Sequence, residues 1–468
     1  MFARYASVID DTASASFLWS VARGFVHANP AARTRIEDPA QAGLLEGAAG
    51  TVVRSCRAIV TMALDTSFLL LPLLDINDRC EYVIAVEKCG LEDAPLLLHE
   101  LSIARKREER VARILQTAML PISLPHAHGL AFQYVYRPAE SNGPAGGDWY
   151  DAYELPDGRV AFSVGDVAGH GLEAAVVMGH VRESIRTQSM NGASPARALA
   201  ETNTALMLSH QSLVTAFVGY LDPLTLVLEY ANAGHPPPYL ADIDGSVRGL
   251  AIGDVILGAV LDAEYATHRR QLDERHALFL YTDGLIEQER DAVQGDRELR
   301  QSLATWGRNG FAASAADFSQ AILGSAPVRD DVAVLVVRTL PVTNLDARLP
   351  NNLASAARAR AAISRVLGSA PLGERRFDFL VAMGEAVNNA LEHGSPFPRD
   401  TIHVRLDCDG YGARGSVESN GAWRWKTPTI ERGRGLMLMR ALTDRVNISV
   451  AQAATTVTLR LDAPPVNA

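Results

Sequence analysis

The chain reads as a succession of short apolar stretches whose period changes several times. Near the start, Phe17, Val21 and Phe25 recur at helical spacing and predict a helix face. Leu69-Leu70-Leu71-Pro72-Leu73 and Tyr82-Val83-Ile84-Ala85-Val86 predict buried strands. From Pro95 onward, Leu97, Leu101, Ala104, Val111, Leu115 and Ala118 alternate spacings of four and three. Arg105, Lys106, Arg107, Glu109, Arg110 and Arg113 fill the positions between them, and Glu108 breaks the seam. This pattern predicts a charged amphipathic helix with a coiled-coil-like stripe, stopped by Pro121. The stripe leaves two readings: packing on its own domain, or pairing with a second copy.

Between about 130 and 340, short strands alternate with longer helical segments. Val160, Phe162 and Val164 alternate as in a strand, and Ala174, Met178, Val181 and Ile185 then recur as in a helix. Further strands are predicted over Leu213 to Leu221, Leu226 to Ala231, Ala277 to Tyr281 and Val332 to Val337. A loop near Pro341 leads into a helix-rich pattern. There, Phe377 to Gly394 predicts one helix, with Phe377, Leu380, Gly384, Val387 and Leu391 as its apolar face. The sequence shows no internal repeat and no low-complexity stretch.

A length of 468 residues is too great for one ordinary core, so several domains are expected. The segmentation that follows from the pattern is 1–95, 96–121, 122–340 and 341–465. A net charge of -10 argues against a nucleic-acid backbone as partner. Cys56, Cys80, Cys89 and Cys408 lie far apart with no CxxC pair, which favours reduced thiols over disulfides or zinc. The start lacks a basic stretch followed by an apolar run, so no signal peptide is expected. The longest apolar run, Phe68 to Leu74, falls far short of the roughly 20 residues of a membrane helix. A cytoplasmic protein with no membrane segment is the expectation.

Candidate chemistry lies in four acidic segments at strand ends. They are Gly146-Gly147-Asp148-Trp149-Tyr150-Asp151, Val164-Gly165-Asp166-Val167-Ala168-Gly169-His170-Gly171, Tyr281-Thr282-Asp283-Gly284 and Arg329-Asp330-Asp331-Val332. Aspartates gathered from several strand ends repel one another unless cations sit between them. Hard oxygen ligands suit Mg²⁺ or Mn²⁺ rather than zinc. Neighbouring glycines let the backbone come close, so that a carbonyl can join them. Two such ions about 4 Å apart can activate a water and clamp a phosphoryl group. One Asp-Gly alone reads as a turn; four at strand ends, in this order, read differently.

Five segments, GGDWYD, SVGDVAGHGLEAA, NAGHPPPYL (Asn232 to Leu240), LFLYTDGLIE and RDDVAVLVVR, resemble in sequence and order the PPM-type serine/threonine phosphatases of the bacterial SpoIIE/RsbU-like branch. The resemblance covers roughly Leu115 to Arg338 and implies an αββα sandwich with a two-metal centre of Mn²⁺ or Mg²⁺. It implies that Asp166 bridges both ions and that the Val167 carbonyl binds one. Asp283 and Asp330 complete that coordination, and Asp148 holds the other ion directly or through water. The family forms no phosphoenzyme. Ala333 stands where many relatives have threonine. His170 leaves open a general-acid or a structural role, and His235 favours a structural one. The stretch Leu115 to Pro121 also resembles the branch's regulatory linker, which implies a switch that positions a metal-site element.

In the C-terminal part, Glu385 and Asn389 lie one helical turn apart, and Gly433 and Gly435 open an apolar helix. By spacing alone these could be a solvated polar face. EAVNNALEHG and GRGLMLM resemble the GHKL ATPase fold in its anti-sigma-factor kinase (RsbW-like) branch, over about Asp346 to Leu461. The resemblance implies Glu385 as the catalytic carboxylate, Asn389 as the ligand of ATP-bound Mg²⁺, and Gly433 and Gly435 at the phosphates. Its adenine-binding Asp-x-Gly aligns with Ser419-Asn420-Gly421, a poorer acceptor, and Glu418 would need a register shift to substitute. An active kinase and a degenerate binding module both remain open. The first 95 residues resemble the last half of a GAF sensor domain.

The expected fold is thus α+β and multidomain: a PPM-type sandwich, a GHKL α/β sandwich, a small N-terminal sensor-like region and a helical linker. The expected function is removal of phosphate from a STAS-like anti-sigma-factor antagonist, with a sigma factor as a further partner, a homodimer as the assembly, and no nucleic acid or membrane as partner. Rival readings are a scaffold without catalysis, or a phosphatase on an unrelated phosphoprotein with a nucleotide-sensing C-terminal domain.

Overall fold

The computed structural model describes residues 15–20, 23–30, 32–33, 39–55, 59–63, 66–74, 80–87, 110–139, 146–210, 212–251, 253–287, 291–324, 328, 330–393, 401–420, 435–451 and 454–464. Within them the chain builds four antiparallel sheets of five strands each. The first contains β1 (Ser16–Ser20), β2 (Gly24–Ala28), β3 (Ile59–Ala63), β4 (Thr66–Leu74) and β5 (Cys80–Glu87), with α1 (Pro39–Ser55) between β2 and β3. Its order is β2-β1-β5-β4-β3.

β4 and β5 fall on the two apolar runs read as strands. The helix expected on Phe17, Val21 and Phe25 is corrected: Phe17 lies in β1 and Phe25 in β2, an antiparallel pair, and Val21 is outside the described residues. A spacing of four is also two strand periods. Phe17 is fully buried, with its ring 5.8 Å from that of Phe68 on β4, so sheet packing decides the conformation.

Residues 110–119 form the visible part of the linker helix, which stops just before Pro121. The helix rests on Ala112 and Gln116, both fully buried, whereas Val111 and Ile114 are exposed and Ala118 faces solvent. At the described end of the apolar stripe Val111 and Ala118 are thus exposed and Leu115 is half-buried, while Met119 and Leu120 pack on the sandwich core. Leu97, Leu101 and Ala104 lie outside the described residues.

The central part follows as β6 (Leu130–Arg137), β7 (Trp149–Glu154), β8 (Val160–Val167), α2 (Leu172–Met190), α3 (Pro195–Ser209), β9 (Val214–Leu221) and β10 (Val227–Ala233). Then come β11 (Tyr239–Ala241), β12 (Val247–Gly249), β13 (His268–Gln271), β14 (Ala277–Tyr281), a 3-10 turn (Asp283–Leu285), α4 (Ala292–Arg308), α5 (Ala315–Leu323) and β15 (Val332–Thr339). The strands form two sheets, β13-β10-β9-β8-β7 and β12-β11-β14-β15-β6. Strand alternation assigns the layers. Leu278, Leu280, Leu335 and Val337 meet Phe162, Val164 and Phe217 between the sheets. Phe279, Val334 and Val336 face Leu299, Leu303 and Trp306 of α4, while Val167, Val214 and Val218 face Met178, Val181 and Ile185 of α2. The result is a four-layer αββα sandwich whose strands are apolar on both faces.

The last sheet, β16 (Asn344–Pro350), β17 (Thr401–Asp409), β18 (Gly412–Asn420), β19 (Arg445–Ala451) and β20 (Ala454–Asp462), has the order β16-β17-β18-β20-β19. Helices α6 (Leu353–Gly368), α7 (Arg375–His393) and α8 (Gly435–Leu442) accompany it. The single helix expected over Phe377 to Gly394 is present as α7, and Leu380, Gly384, Val387 and Leu391 of its expected apolar face meet the core, whereas Phe377 does not. Phe377 is 69% exposed, and the core-facing stripe is Phe379, Ala382, Met383, Ala386, Val387 and Ala390.

Helix α6 also grips the central sandwich. Arg358 makes a forked ion pair with Asp222 at 2.8 and 3.2 Å and donates to the Asp157 carbonyl at 3.0 Å. Two turns on, Arg365 pairs with Glu274 at 3.0 Å and donates to the carbonyls of Pro223 and Leu340. Leu224, in the same β9–β10 loop, packs against the C-terminal core. Because Asp222 is nearly buried beside Arg358, removing the guanidinium strands a carboxylate. Arg358→Ala should lower stability by roughly 2–3 kcal/mol in urea unfolding, and a change below about 0.5 kcal/mol would show that the grip is superficial.

Candidate active site

Strand phase explains which carboxylates meet. Asp166 is in phase with Val160, Phe162 and Val164, so it caps the layer between the two sheets at the end of β8. Asp148 precedes β7 in the same phase as Tyr150 and Ala152 and is only 3% exposed. Thr282, fully buried, donates to Asp148 Oδ2 at 2.7 Å and receives the Ala333 N–H at 2.9 Å. Ala333 thus serves through its backbone, bonding Thr282 from both its N–H and its carbonyl. Asp283 opens the 3-10 turn, and Asp330 sits at the exposed rim before β15.

The carboxylates sense one another. Burial raises the Asp148 carboxyl well above its usual range, and the charges of Asp166, Asp331 and Asp283 add to it. Burial, then Asp283, push Asp166 up to about 7, with Asp330 and Asp331 contributing. Burial raises Asp283 too, with Glu287 adding. Asp330 is lifted by lost hydration on its site-facing side, held down by the Asp331 N–H, pushed up by Asp283 and pulled down by His170. All these donors are hard oxygens, of the kind that suits divalent cations such as Mg²⁺ or Mn²⁺. The Val167 carbonyl faces the same corner: a Cβ on Gly147 would lie 2.7 Å from it and 2.5 Å from the Val167 side chain, so only glycine admits this approach.

A fifth aspartate, Asp331, was part of a motif but had no role assigned. It is 1% exposed, and its two oxygens accept Gln116 Nε2–H at 2.5 Å, the Tyr136 hydroxyl at 2.7 Å, the Ala139 N–H at 2.8 Å and the Gly146 N–H at 3.2 Å. Gln116 Nε2 also donates to the Gly146 carbonyl at 2.8 Å, and Gln116 Oε1 has no hydrogen-bond partner among the described residues. The linker helix is thereby fastened to the loop that carries Asp148 and to the residue beside Asp330. The signal was available in the sequence: in Asp330-Asp331-Val332, strand phase turns the second aspartate inward.

His235 has both ring nitrogens engaged, with Thr215 Oγ1 at 3.0 Å and the Tyr281 carbonyl at 3.0 Å. Burial pushes its pKa down to about 4, so it is neutral and ties β9 to the end of β14. A cleft of about 370 Å³ opens over this corner, lined by Asp166, Thr215, Gly234, His235, Gly253, Asp283 and Glu287 among others.

In the C-terminal part, Glu385 and Asn389 come together over the first turn of α8. A Cβ on Gly435 would lie 3.0 Å from Glu385 Oε2 and 3.1 Å from Asn389 Nδ2. Gly433 and Gly421 lie outside the described residues. Ser419 is 8% exposed and in phase with Ala413, Gly415 and Val417, whose strand face meets the helices; Gly415 abuts Met383. Glu418 is on the opposite face, 3.8 Å from Arg405.

Comparison with known proteins fits this geometry. The stretch 156–340 matches the family described as Stage II sporulation protein E (SpoIIE). Residues 156–340 form a SpoIIE-type domain. Residues 349–461 match the histidine kinase-like ATPase domain. Protein IcfG of Synechocystis sp. is 28% identical over 204 residues, 37% of this chain and 32% of that protein. The phosphoserine phosphatase RsbP of Bacillus subtilis is 26% identical over 194 residues, 40% of this chain and 47% of RsbP. The chain thus spans between about a third and a half of these relatives' length. A crystal structure of the RsbU and RsbW domains of a Mycobacterium tuberculosis protein is 28% identical, covers 74% of this chain and 97% of that one, and gives a TM-score of 0.45. No helix among the described residues is long and apolar enough to cross a membrane.

Two outcomes follow for the SpoIIE-type domain. Asp166 has its pKa raised to about 7, so its favourable contribution is fully present below the unfolded value and is lost as pH rises through about 7. Asp166→Asn should therefore raise the melting temperature of metal-free protein at about pH 8 by about 2–4 °C and leave it unchanged at about pH 4; equal melting at both pH values would disprove the crowding. Asp331→Ala leaves four donors without their acceptor and should cost about 3–5 kcal/mol by denaturant titration.

Proposed function

We propose that this chain is a metal-dependent phosphoprotein phosphatase that removes phosphate from a serine or threonine of a STAS-like anti-sigma-factor antagonist. The observation that carries the reading is the crowding of like charge among Asp148, Asp166, Asp283 and Asp330, which raises their carboxyl groups, with Asp166 and Asp283 lining the cleft. Asp148, Asp166, Asp283, Asp330 and the Val167 carbonyl would hold two Mn²⁺ or Mg²⁺ ions. Such ions supply an activated water and neutralise charge on the phosphoryl group. The chain's own contribution is placement: Thr282 fixes Asp148, neutral His235 fixes the end of β14, and Asp331 fixes the loop before Asp148. The name of RsbP, a phosphoserine phosphatase, supports the substrate class.

The linker helix is read as a regulatory element. Gln116 joins it to Gly146 and Asp331, so movement of the helix is felt at the Asp148 loop. Its exposed Val111, Ile114 and Ala118 support pairing with a second copy of the chain.

The ATPase-type domain is read as a module that binds the same class of protein, with ATP–Mg²⁺ held by Glu385, Asn389 and the glycines at Gly433 and Gly435. One observation favours a second reading for this half, a binding or scaffold module. Glu418 points to the opposite strand face from Ser419, so it does not replace the missing adenine acceptor. A sigma factor is the further partner this reading allows.

The test is Mn²⁺-dependent hydrolysis of p-nitrophenyl phosphate and of a serine-phosphorylated STAS-domain protein. Asp283→Asn should lower kcat by at least about 100-fold. No hydrolysis of either substrate by folded, metal-loaded protein would sink the phosphatase reading and leave the scaffold.

A further inference from the structure

The cleft has two unlike rims. One carries Glu287, exposed and acidic, next to the Asp283 carboxylate in the cleft wall. The other begins at Gly253 in the cleft wall and continues as the loop 253–261, which bears Val255 at 38%, Val260 at 52% and Leu261 at 47% exposure. Leu213, 44% exposed, stands beside it, two residues before Thr215 of the cleft wall. The Leu213 carbonyl accepts the Ala168 N–H at 2.9 Å, next to Val167.

This loop is fixed in place. Val214 and Leu257 exchange two backbone hydrogen bonds at 3.0 and 2.9 Å, and the Asp254 N–H reaches the Asn232 carbonyl at 2.7 Å. Asn203, fully buried on α3, donates from Nδ2 to the carbonyls of Val260 at 2.8 Å and Leu261 at 3.1 Å. Its Oδ1 accepts the Gly258 N–H at 2.8 Å. The backbone is thus anchored from inside while four aliphatic side chains are held out to water, where they add nothing to the core.

A phosphoserine side chain is short, so a polypeptide that delivers one to the cleft must lay its own surface on the rim. A small phosphate ester need not. Resting on the phosphatase reading above, we propose that Leu213, Val255, Val260 and Leu261 form a docking ledge for a folded phosphoprotein, receiving aliphatic side chains that flank its phosphoserine. The occupant follows from continuity: the ledge shares Gly253 and the Val214–Thr215 strand with the cleft wall. The ledge selects protein over small ester, and the acidic rim opposite disfavours acidic flanking residues.

The test compares the parent chain with Val255→Asp, Leu261→Asp and the milder Leu261→Ala. p-Nitrophenyl phosphate reports the cleft, and a serine-phosphorylated STAS-domain protein reports cleft plus ledge. The Asp variants should hydrolyse p-nitrophenyl phosphate within about twofold of the parent while kcat/KM for the phosphoprotein falls at least about tenfold, mainly through KM. Leu261→Ala should fall by about threefold. Calorimetric binding of the phosphoprotein is read in parallel, so absence of all hydrolysis sinks the phosphatase reading while binding still decides the ledge. Equal losses on both substrates, or no loss on the phosphoprotein, overturn the ledge. A shift in sedimentation with unchanged phosphoprotein kinetics also overturns it and assigns the patch to a second copy of the chain.

Discussion

Carboxylates buried at the end of an apolar layer need either donors or cations, and this chain treats its five differently. Asp331 is given four donors from three parts of the chain and is satisfied without outside help. Asp148 has the Thr282 hydroxyl, while Asp166 and Asp283 lie over the cleft with neighbours of the same sign. The difference separates a fully bonded carboxylate from ones left facing neighbours of like charge. It also explains the glycines at 146 and 147, since the loop must lie against both Asp331 and Val167 for the set to form. The surrounding sandwich fixes these positions through strand phase, because a shift of one residue in β8 or β15 would turn each aspartate to the other face.

Much of this was legible in the sequence. The apolar runs at Ala277 to Tyr281 and Val332 to Val337 became β14 and β15, and the acidic segments lie at strand ends. The readings that failed were those in which one spacing serves two structures. Phe17 and Phe25 fit a helix or a hairpin equally, and only the ring of Phe68 across the sheet decides. On α7, Phe377 looked like the start of an apolar face, but the core takes its cue from Phe379 and Met383. The inward turn of Asp331 was readable from strand phase, but what it binds was not. Its partner Gln116 lies 215 residues away, and no local pattern reports a hydrogen bond of that range.

The C-terminal half shows the same logic in a negative sense. Glu385 and Asn389 come together over Gly435, which their spacing alone did not require, whereas the carboxylate that could have stood in for an adenine acceptor is on the far face of β18. Strand alternation leaves Glu418 to Arg405 and gives the helix side to Ser419, which carries no charge.

The arginines of α6 have a consequence for traffic around the molecule. Asp222, Pro223 and Glu274, which they hold, lie where β9 ends and before β14 begins, whereas Asp166 lies at the end of β8, opposite the start of β9, and Asp283 just past the end of β14. The two halves are therefore joined tail to back, with the ATPase-type domain fastened to the end of the sandwich remote from the cleft. The joint at Asp222 and Glu274 thus takes no part of the corner where Asp166 and Asp283 line the cleft.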